Sequence, residues 1–368
     1  MTSRRTFLKQ FTGATAGLCF VGCPWVEAAS ALQAGGRVRR REVMVGGRRV
    51  RTIDVHAHVN VPNILELFRE SRAQLDNPTA ATDPQWGPDN ADERLRHMDE
   101  EGIDVQAVGI NPFWYRADQD LARRIVQLQN EKIAALCAAH PDRFVGMGTV
   151  ALQHPDLAAT QLDEGVKKFG MRGFVIGGNV AGEELSAPKF HPFWAKAEEL
   201  GTLIFIHPQG FAEGAKRLQG NGALTNVIGN PLETTVALSH LIFEGTLDRF
   251  PGLKICAAHG GGYLPSYIAR SDRCTTLSPA PCRNIQPVRK RPSEYLSQLY
   301  FDSMVFTAEG LRHLVAEAGV SQVVMGTDFP AGWTSESVDH ILSTSSLSDA
   351  EKRAILGETA AKLLRIAE

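Results

Sequence analysis

No segment of this 368-residue chain is apolar and uninterrupted enough to span a bilayer as a permanent anchor. Neither sign of charge dominates: 39 basic against 41 acidic residues leave a formal charge of -2, which gives nucleic acid nothing to bind. Internal repeats are absent, and so are low-complexity stretches beyond the leader, which excludes solenoids and disordered tails. What is present is 43% hydrophobic residues, ample for a large core in a globular enzyme. The one conspicuous basic run, the arginines at 37 to 51 in GRVRRREVMVGGRRVR, sits where the leader meets the body and reads as a solvated linker without function.

The chain opens MTSRRTFLKQFTGATAGLCFVG, in which Arg4, Arg5, Phe7, Leu8 and Lys9 before a short apolar stretch resemble a twin-arginine export signal. Ala29, Ser30 and Ala31 offer a cleavage site, and an imperfect lipoprotein site at Cys23 offers lipid anchoring as the alternative. The expected division is an export signal over 1–31, a basic linker over 32–50 and a single domain over 51–368, with a periplasmic location. Cysteine is sparse. Cys137 and Cys256 fall in apolar elements as buried thiols, whereas Cys274 and Cys282 bracket CTTLSPAPC and in an oxidising compartment are a candidate disulfide.

Eight β-branched runs alternate with helical patterns after the linker: 52–58, 105–110, 144–150, 173–178, 202–207, 253–259, 299–303 and 322–328. Helix candidates between them include ADERLRHMDEEG, DLARRIVQLQNEKIAALCAAH, PLETTVALSHLIFEGTLDRFP and TAEGLRHLVAEAG, several ending in Gly or Pro. No glycine-rich phosphate loop follows the first run, which disfavours a doubly wound open sheet. The reading is a (β/α)8 TIM barrel of the α/β class, with extra length in loops at 60–90, 208–230 and 271–298.

Placed on that map, His56 and His58 end strand one, His207 ends strand five, His259 ends strand six and Asp328 ends strand eight. Side chains at i and i+2 of a strand share a face, so both imidazoles of TIDVHAHVN can meet one point. In a barrel the C-terminal rim gathers catalytic residues, and a metal site there follows from five such side chains. His56, His58, His207 and Asp328 are the candidate ligands of one divalent ion with an open position, and His259 and Asp328 the candidate proton carriers. The converse, His259 as ligand and Asp328 as shuttle, is equally compatible with the spacing. Strand four ends in Gly177, Gly178 and Asn179, so no lysine is present there to bridge two metals.

The segments DVHAH, RLRHMDEEGIDVQAV, RFVGMGTVALQHP, IFIHPQG, GNPLETTVALSHLIFEGTLDRFPGLKICAAHGGGYLP and VVMGTDFP resemble the decarboxylase-type branch of the amidohydrolase superfamily, centred on aminocarboxymuconate-semialdehyde decarboxylase, from Thr52 to Trp333. The resemblance implies a mononuclear zinc or manganese site, zinc first, on His56, His58, His207 and Asp328, with His259 as acid-base. It also implies a homodimer in which Arg270 reaches a neighbouring subunit's substrate carboxylate. Two departures bear on the substrate: Gln209 replaces a tryptophan after His207-Pro208, and DNPTAATDPQWGPDNADE lacks a substrate-binding arginine. Gln209 and Asn226 join Arg270 as candidate substrate contacts. Asp302 is a candidate to orient a ligand histidine, Glu233 serves helix capping or the site wall, and Gly260 to Gly262 permit a tight turn. The implied chemistry is decarboxylation of an aromatic or unsaturated acid. Rivals are hydrolysis of a lactone, ester or amide, and non-catalytic periplasmic binding of a metal or ligand.

Overall fold

The computed structural model describes residues 39–61, 64–71, 87, 90–276, 288–331 and 336–367; the export signal with Cys23, its cleavage site and Cys282 lie outside them. Residues 39–368 form one compact unit. Its sheet runs β1 (Ile53–His58), β2 (Val105–Gly109), β3 (Phe144–Gly148), β4 (Gly173–Ile176), β5 (Leu203–Ile206), β6 (Lys254–Ala257), β7 (Leu299–Asp302) and β8 (Val323–Val324). Neighbours in sequence are neighbours in space and every pair is parallel. The edge strands meet through Val55 N to Met325 O (3.0 Å), Asp328 N to His56 O (2.7 Å) and His58 N to Phe329 O (2.7 Å). The sheet is therefore a barrel, as the alternation of strand and helix patterns predicts. The eighth strand is shorter than expected because Met325 N bonds Ile355 O instead of β7, and Asp328 turns into the left-handed region at φ 56.

The helices include α1 (Ala91–Glu101), α2 (Gln119–Ala139), α3 (Pro155–Lys167), α4 (His191–Leu200), α5 (Asn230–Phe243), α6 (Leu264–Thr276) and α7 (Ala308–Ala318). They form where apolar residues recur every three or four positions: α2 buries Leu121, Ile125, Ile133 and Leu136, and its Asp118 cap accepts from Leu121 N. The single helix expected over PLETTVALSHLIFEGTLDRFP is two, because Gly245 adopts φ 78 between α5 and the turn Thr246–Arg249. The loop expected at 60–90 contains a helix, Ile64–Ser71, and the one at 271–298 is shortened by α6 and by a 3-10 turn at Pro292–Gln298.

The basic run differs from expectation from Arg39 onward. Val43, Val45 and Val50 are buried, and Met44–Val45 pairs antiparallel with Arg48–Arg49. Arg40 and Arg49 both reach Asp104 Oδ1, at 2.8 and 2.7 Å, and Arg41 pairs with Asp339. Alternating valines give this segment an apolar face to bury, so it belongs to the barrel's N-terminal end rather than to a linker. Inside the barrel, Ile53, Val55, Val105, Ala107, Met147, Phe205 and Cys256 form one cluster, closed from below by Ala360, Leu363 and Leu364. No described helix is long and apolar enough to cross a membrane. Cys274 is disulfide-bonded and Cys137 and Cys256 are free thiols.

Candidate metal centre and cavity

Strict alternation along β1 would turn its histidines away from the barrel, because Ile53 and Val55 already face inward. The strand avoids this with a bulge. Pairing with β2 steps from Asp54 opposite Gln106 to Ala57 opposite Val108, three residues against two, and the extra residue flips the parity. His56 and His58 thereby join the inner face, with the His56 ring 4.8 Å from that of Phe205. His207 follows β5 directly, continuing the inward positions Leu203 and Phe205. His259 and Asp328 stand beyond β6 and β8, both in the left-handed region at φ 57 and 56. Backbone strain of this kind concentrates at functional sites.

All five predicted side chains converge. His58 Nε2 lies 2.8 Å from Asp328 Oδ1 and 3.2 Å from His56 Nε2, and His56 Nε2 lies 3.2 Å from the same carboxylate oxygen. His207 Nε2 stands 3.8 Å from Asp328 Oδ1, while His259 Nε2 faces the other oxygen, Oδ2, at 3.6 Å. One donor atom each of His56, His207, His259 and Asp328 lies within 4.8 Å of all the others.

A buried frame holds these groups. Asp302, at the end of β7, accepts from His56 Nδ1 at 2.6 Å, from the backbone N–H groups of His259 (2.9 Å) and Gly260 (2.8 Å), and from Met304 N (3.1 Å). It thus orients a histidine, as the sequence suggested, and also ties the loop after β6. Asp54 accepts from Thr327 Oγ1 (2.7 Å), Gln106 Nε2 (2.9 Å) and His56 N (3.0 Å). Arg94, 2% exposed, donates to Gln106 Oε1 (2.7 Å) and His58 O (2.5 Å) and lies 4.7 Å over the Phe329 ring. Asp54, Gln106, Thr327 and Arg94 were not singled out from sequence. Their only local signal is polarity within an apolar strand or helix face.

The electrostatics fit a cation. Burial opposes a charge on His56, yet Asp328 and the bond to Asp302 outweigh it and lift the ring to about 10. The site draws a positive charge between its two carboxylates. Burial, together with neighbouring imidazoles, pushes His207 down to about 3, and both its ring nitrogens lack a hydrogen-bond partner. Asp328 is held well below the carboxylate range; burial works against this, but the surrounding imidazoles prevail. Imidazoles with unpartnered ring nitrogens on His58, His207 and His259, around an ionised carboxylate, are a nitrogen and oxygen donor set for one divalent ion.

Beside His207 opens a cavity of about 570 Å³. Gln209 lines it, as the sequence suggested, together with Asn111, Tyr115, Arg116, Asn179 and Asn230. Asn226 does not appear among its lining residues. It lies in the π turn Thr225–Gly229, one turn short of Asn230. Arg270 is exposed on α6 and does not line the cavity within this chain. The bare Gly177 and Gly178 above β4 admit side chains from elsewhere. Tyr115 Oη accepts from Gly177 N at 3.1 Å, and a Cβ on Gly178 would meet Glu233 Cγ at 2.8 Å.

Glu233 is therefore packed against Gly178 and makes no cap hydrogen bond to α5, and it is not one of the residues lining the cavity. Asn179 Nδ2 donates to its Oε1 at 2.5 Å, and burial raises its carboxyl to about 7. The unfolded chain ionises this group near 4.5, so folding stability is lost as pH rises from there through about 7 and stays lower above it. Glu233→Gln keeps the acceptor and removes the ionisation. Thermal unfolding at pH 5 and pH 8 is expected to show the wild type's loss at the higher pH reduced by on the order of 1–2 kcal/mol in the variant. An unchanged difference would assign the pH dependence to another group.

The amidohydrolase family model matches residues 53–366. A 2-amino-3-carboxymuconate-6-semialdehyde decarboxylase from Dictyostelium discoideum is 31% identical over 298 residues, covering 76% of this chain and 81% of that protein. A gamma-resorcylate decarboxylase from Rhodococcus jostii is 28% identical, covering 76% of this chain and 88% of that one. Among solved structures, a dihydroxybenzoic acid decarboxylase from a Polaromonas strain, with bound manganese and the inhibitor 2-nitroresorcinol, superimposes with a TM-score of 0.73 at 24% identity, covering 86% of this chain and 97% of that one. With the family model spanning the whole barrel, this chain belongs to the amidohydrolase family, in its branch similar to aminocarboxymuconate-semialdehyde decarboxylase.

Proposed function

We infer that the protein is a metal-dependent decarboxylase of a small aromatic or unsaturated carboxylic acid. The observation that carries this reading is the convergence of four histidines and Asp328 beside a cavity of about 570 Å³ walled by amide and phenol side chains and Arg116. Such a cavity is the size of a one-ring substrate and provides few, fixed polar contacts. The decarboxylase names of the curated relatives support carbon–carbon cleavage over hydrolysis.

His56, His58 and His207 share Asp328 Oδ1, and His259 alone faces Oδ2, which favours the first three with Asp328 as metal ligands and His259 as proton carrier. When bound, a divalent ion supplies positive charge that orients the substrate's oxygens and stabilises the electron density left behind by carbon dioxide. Zinc is the first choice and manganese the second; both suit these ligands. His259, directly or through Asp328, delivers the proton that takes up those electrons at the carbon losing its carboxylate. Arg116 supplies a cation at the cavity, and Asn111, Asn179 and Gln209 offer amides to ring substituents.

Export through the twin-arginine route is part of the proposal, supported by SRRTFLK, and so is a homodimer, in which the exposed Arg270 would turn to a second copy. The test is to load the purified chain with zinc or manganese, offer hydroxybenzoates alongside lactones and amides, and follow carbon dioxide and acid release. Carbon dioxide from the aromatic acids, with roughly a hundredfold lower kcat in His259→Ala, is the expected result. Acid release from lactones or amides alone would make the protein a hydrolase. Turnover of neither panel would leave a metal-binding protein without catalysis.

A further inference from the structure

At the end of the barrel opposite the metal centre, a cleft of about 680 Å³ opens between the N-terminal hairpin and the C-terminal helix Thr359–Leu364. Arg48, Arg49, Arg51, Arg353, Lys362 and Arg365 line it, and Glu358 is the one acidic side chain among its described lining residues. Arg49 is neutralised by Asp104 at 2.7 Å, and Arg353 is paired with Glu358 at 3.6 Å.

The other four cations have no carboxylate partner among the described residues. Arg51 NH1 donates to Ala367 O at 2.5 Å, and Arg365 NH2 to Leu200 O (2.7 Å) and Gly201 O (2.8 Å). Neutral carbonyls satisfy those donors and fix the guanidinium groups in place, but they cancel no charge. The uncompensated field is felt nearby. Lys254 is held below its ordinary range, first by burial and then by the charge of Arg365. The hairpin side and the C-terminal side of the cleft approach closely, since a Cβ on Gly357 would come within 2.0 Å of Arg51 O. Ile53 and Ile366 give the cleft an apolar floor.

We propose that this cleft is a binding site for a small multivalent anion carrying phosphate or carboxylate groups, held by Arg48, Arg51, Lys362 and Arg365. Guanidinium forks match the oxygens of such groups, and converging like charges in a concave site concentrate the potential that attracts them. The anion bridges the hairpin to the C-terminal helix and so acts on stability, a full barrel length away from the chemistry. The phosphate comes either from a free metabolite or from the head group of an anionic lipid.

The probe is fructose 1,6-bisphosphate, titrated calorimetrically into the full metal-loaded chain, with flotation on phosphatidylglycerol and phosphatidylcholine vesicles in parallel. Binding that weakens with added salt and raises Tm by about 3 °C at saturation is expected. The double variant Arg48→Gln/Lys362→Gln removes two charges without touching the backbone bonds of Arg51 and Arg365. It is expected to bind at least tenfold more weakly with unchanged metal content. Flotation on phosphatidylglycerol alone, abolished in the double variant, supports the site with a lipid as source. Equal binding by wild type and double variant overturns it, as does no response to either probe. A chain lacking Glu368 completes the set: binding gained only on that deletion would mean that Glu368 fills the cleft, and the proposal fails.

Discussion

Asp328→Asn is expected to lower kcat by about four orders of magnitude, several kcal/mol of transition-state stabilisation, while the fold survives. Asp328 is the one carboxylate on which four imidazoles converge, with Oδ1 facing His56, His58 and His207 and Oδ2 facing His259. Asparagine has nearly the same shape and is among the few residues that tolerate the left-handed backbone found here at φ 56. The substitution therefore isolates the charge. Without it the imidazoles lose their anionic partner and, on the proposed assignment, the divalent ion would lose an oxygen ligand and His259 its partner in proton exchange. Circular dichroism and metal analysis accompany the kinetics. Near-wild-type turnover in a folded, metal-loaded variant would remove Asp328 from the chemistry and return His259 to the ligand set.

Much of this arrangement was legible in the sequence because it depends on local periodicity. Eight short β-branched runs, each followed by a helical pattern, admit few topologies, and the barrel rule then sends the last residue of each run to one rim. His207 follows from Leu203 and Phe205 by simple alternation. His56 and His58 share a face for the same reason, but which face was not legible. That depends on the bulge between Asp54 and Ala57, and a single extra residue is invisible in a pattern of alternating polarity. The supporting frame was equally hidden. Asp54, Gln106 and Arg94 lie on β1, β2 and α1 and Thr327 in the segment after β8, so they meet only when the barrel closes. Asn226 failed as a cavity contact because the turn over Thr225–Gly229 brings Asn230, not Asn226, to the lining. The valines of the basic run were outweighed in the reading by their arginine neighbours, although it is the valines that bury.

Asp302→Ala is expected to damage stability and metal binding together, which separates its role from that of Asp328. The side chain is fully buried and accepts four hydrogen bonds, from His56 Nδ1, His259 N, Gly260 N and Met304 N. Alanine leaves all four donors facing a void, with no water assured to replace the lost acceptor. Breaking a buried charged partnership of this kind costs about 3–5 kcal/mol, or roughly 10 °C in Tm for a domain of this size. His56 also loses the group that fixes its tautomer and aims its Nε2 at the site, so metal affinity is expected to fall by about 10- to 100-fold in chelator competition. The pH dependence follows from the direction of the Asp302 shift. Burial would raise its pKa, but the bonds from His56 and the backbone lower it below 3.8. Its contribution is therefore present above the unfolded value and is lost as pH falls through the lower folded value, so wild type and variant converge only in strong acid. A variant that unfolds earlier but keeps full metal affinity would confine Asp302 to tying the β6 and β7 loops. Parallel losses in both measurements would establish that this carboxylate, through its bond to His56 Nδ1, sets the geometry on which the centre depends.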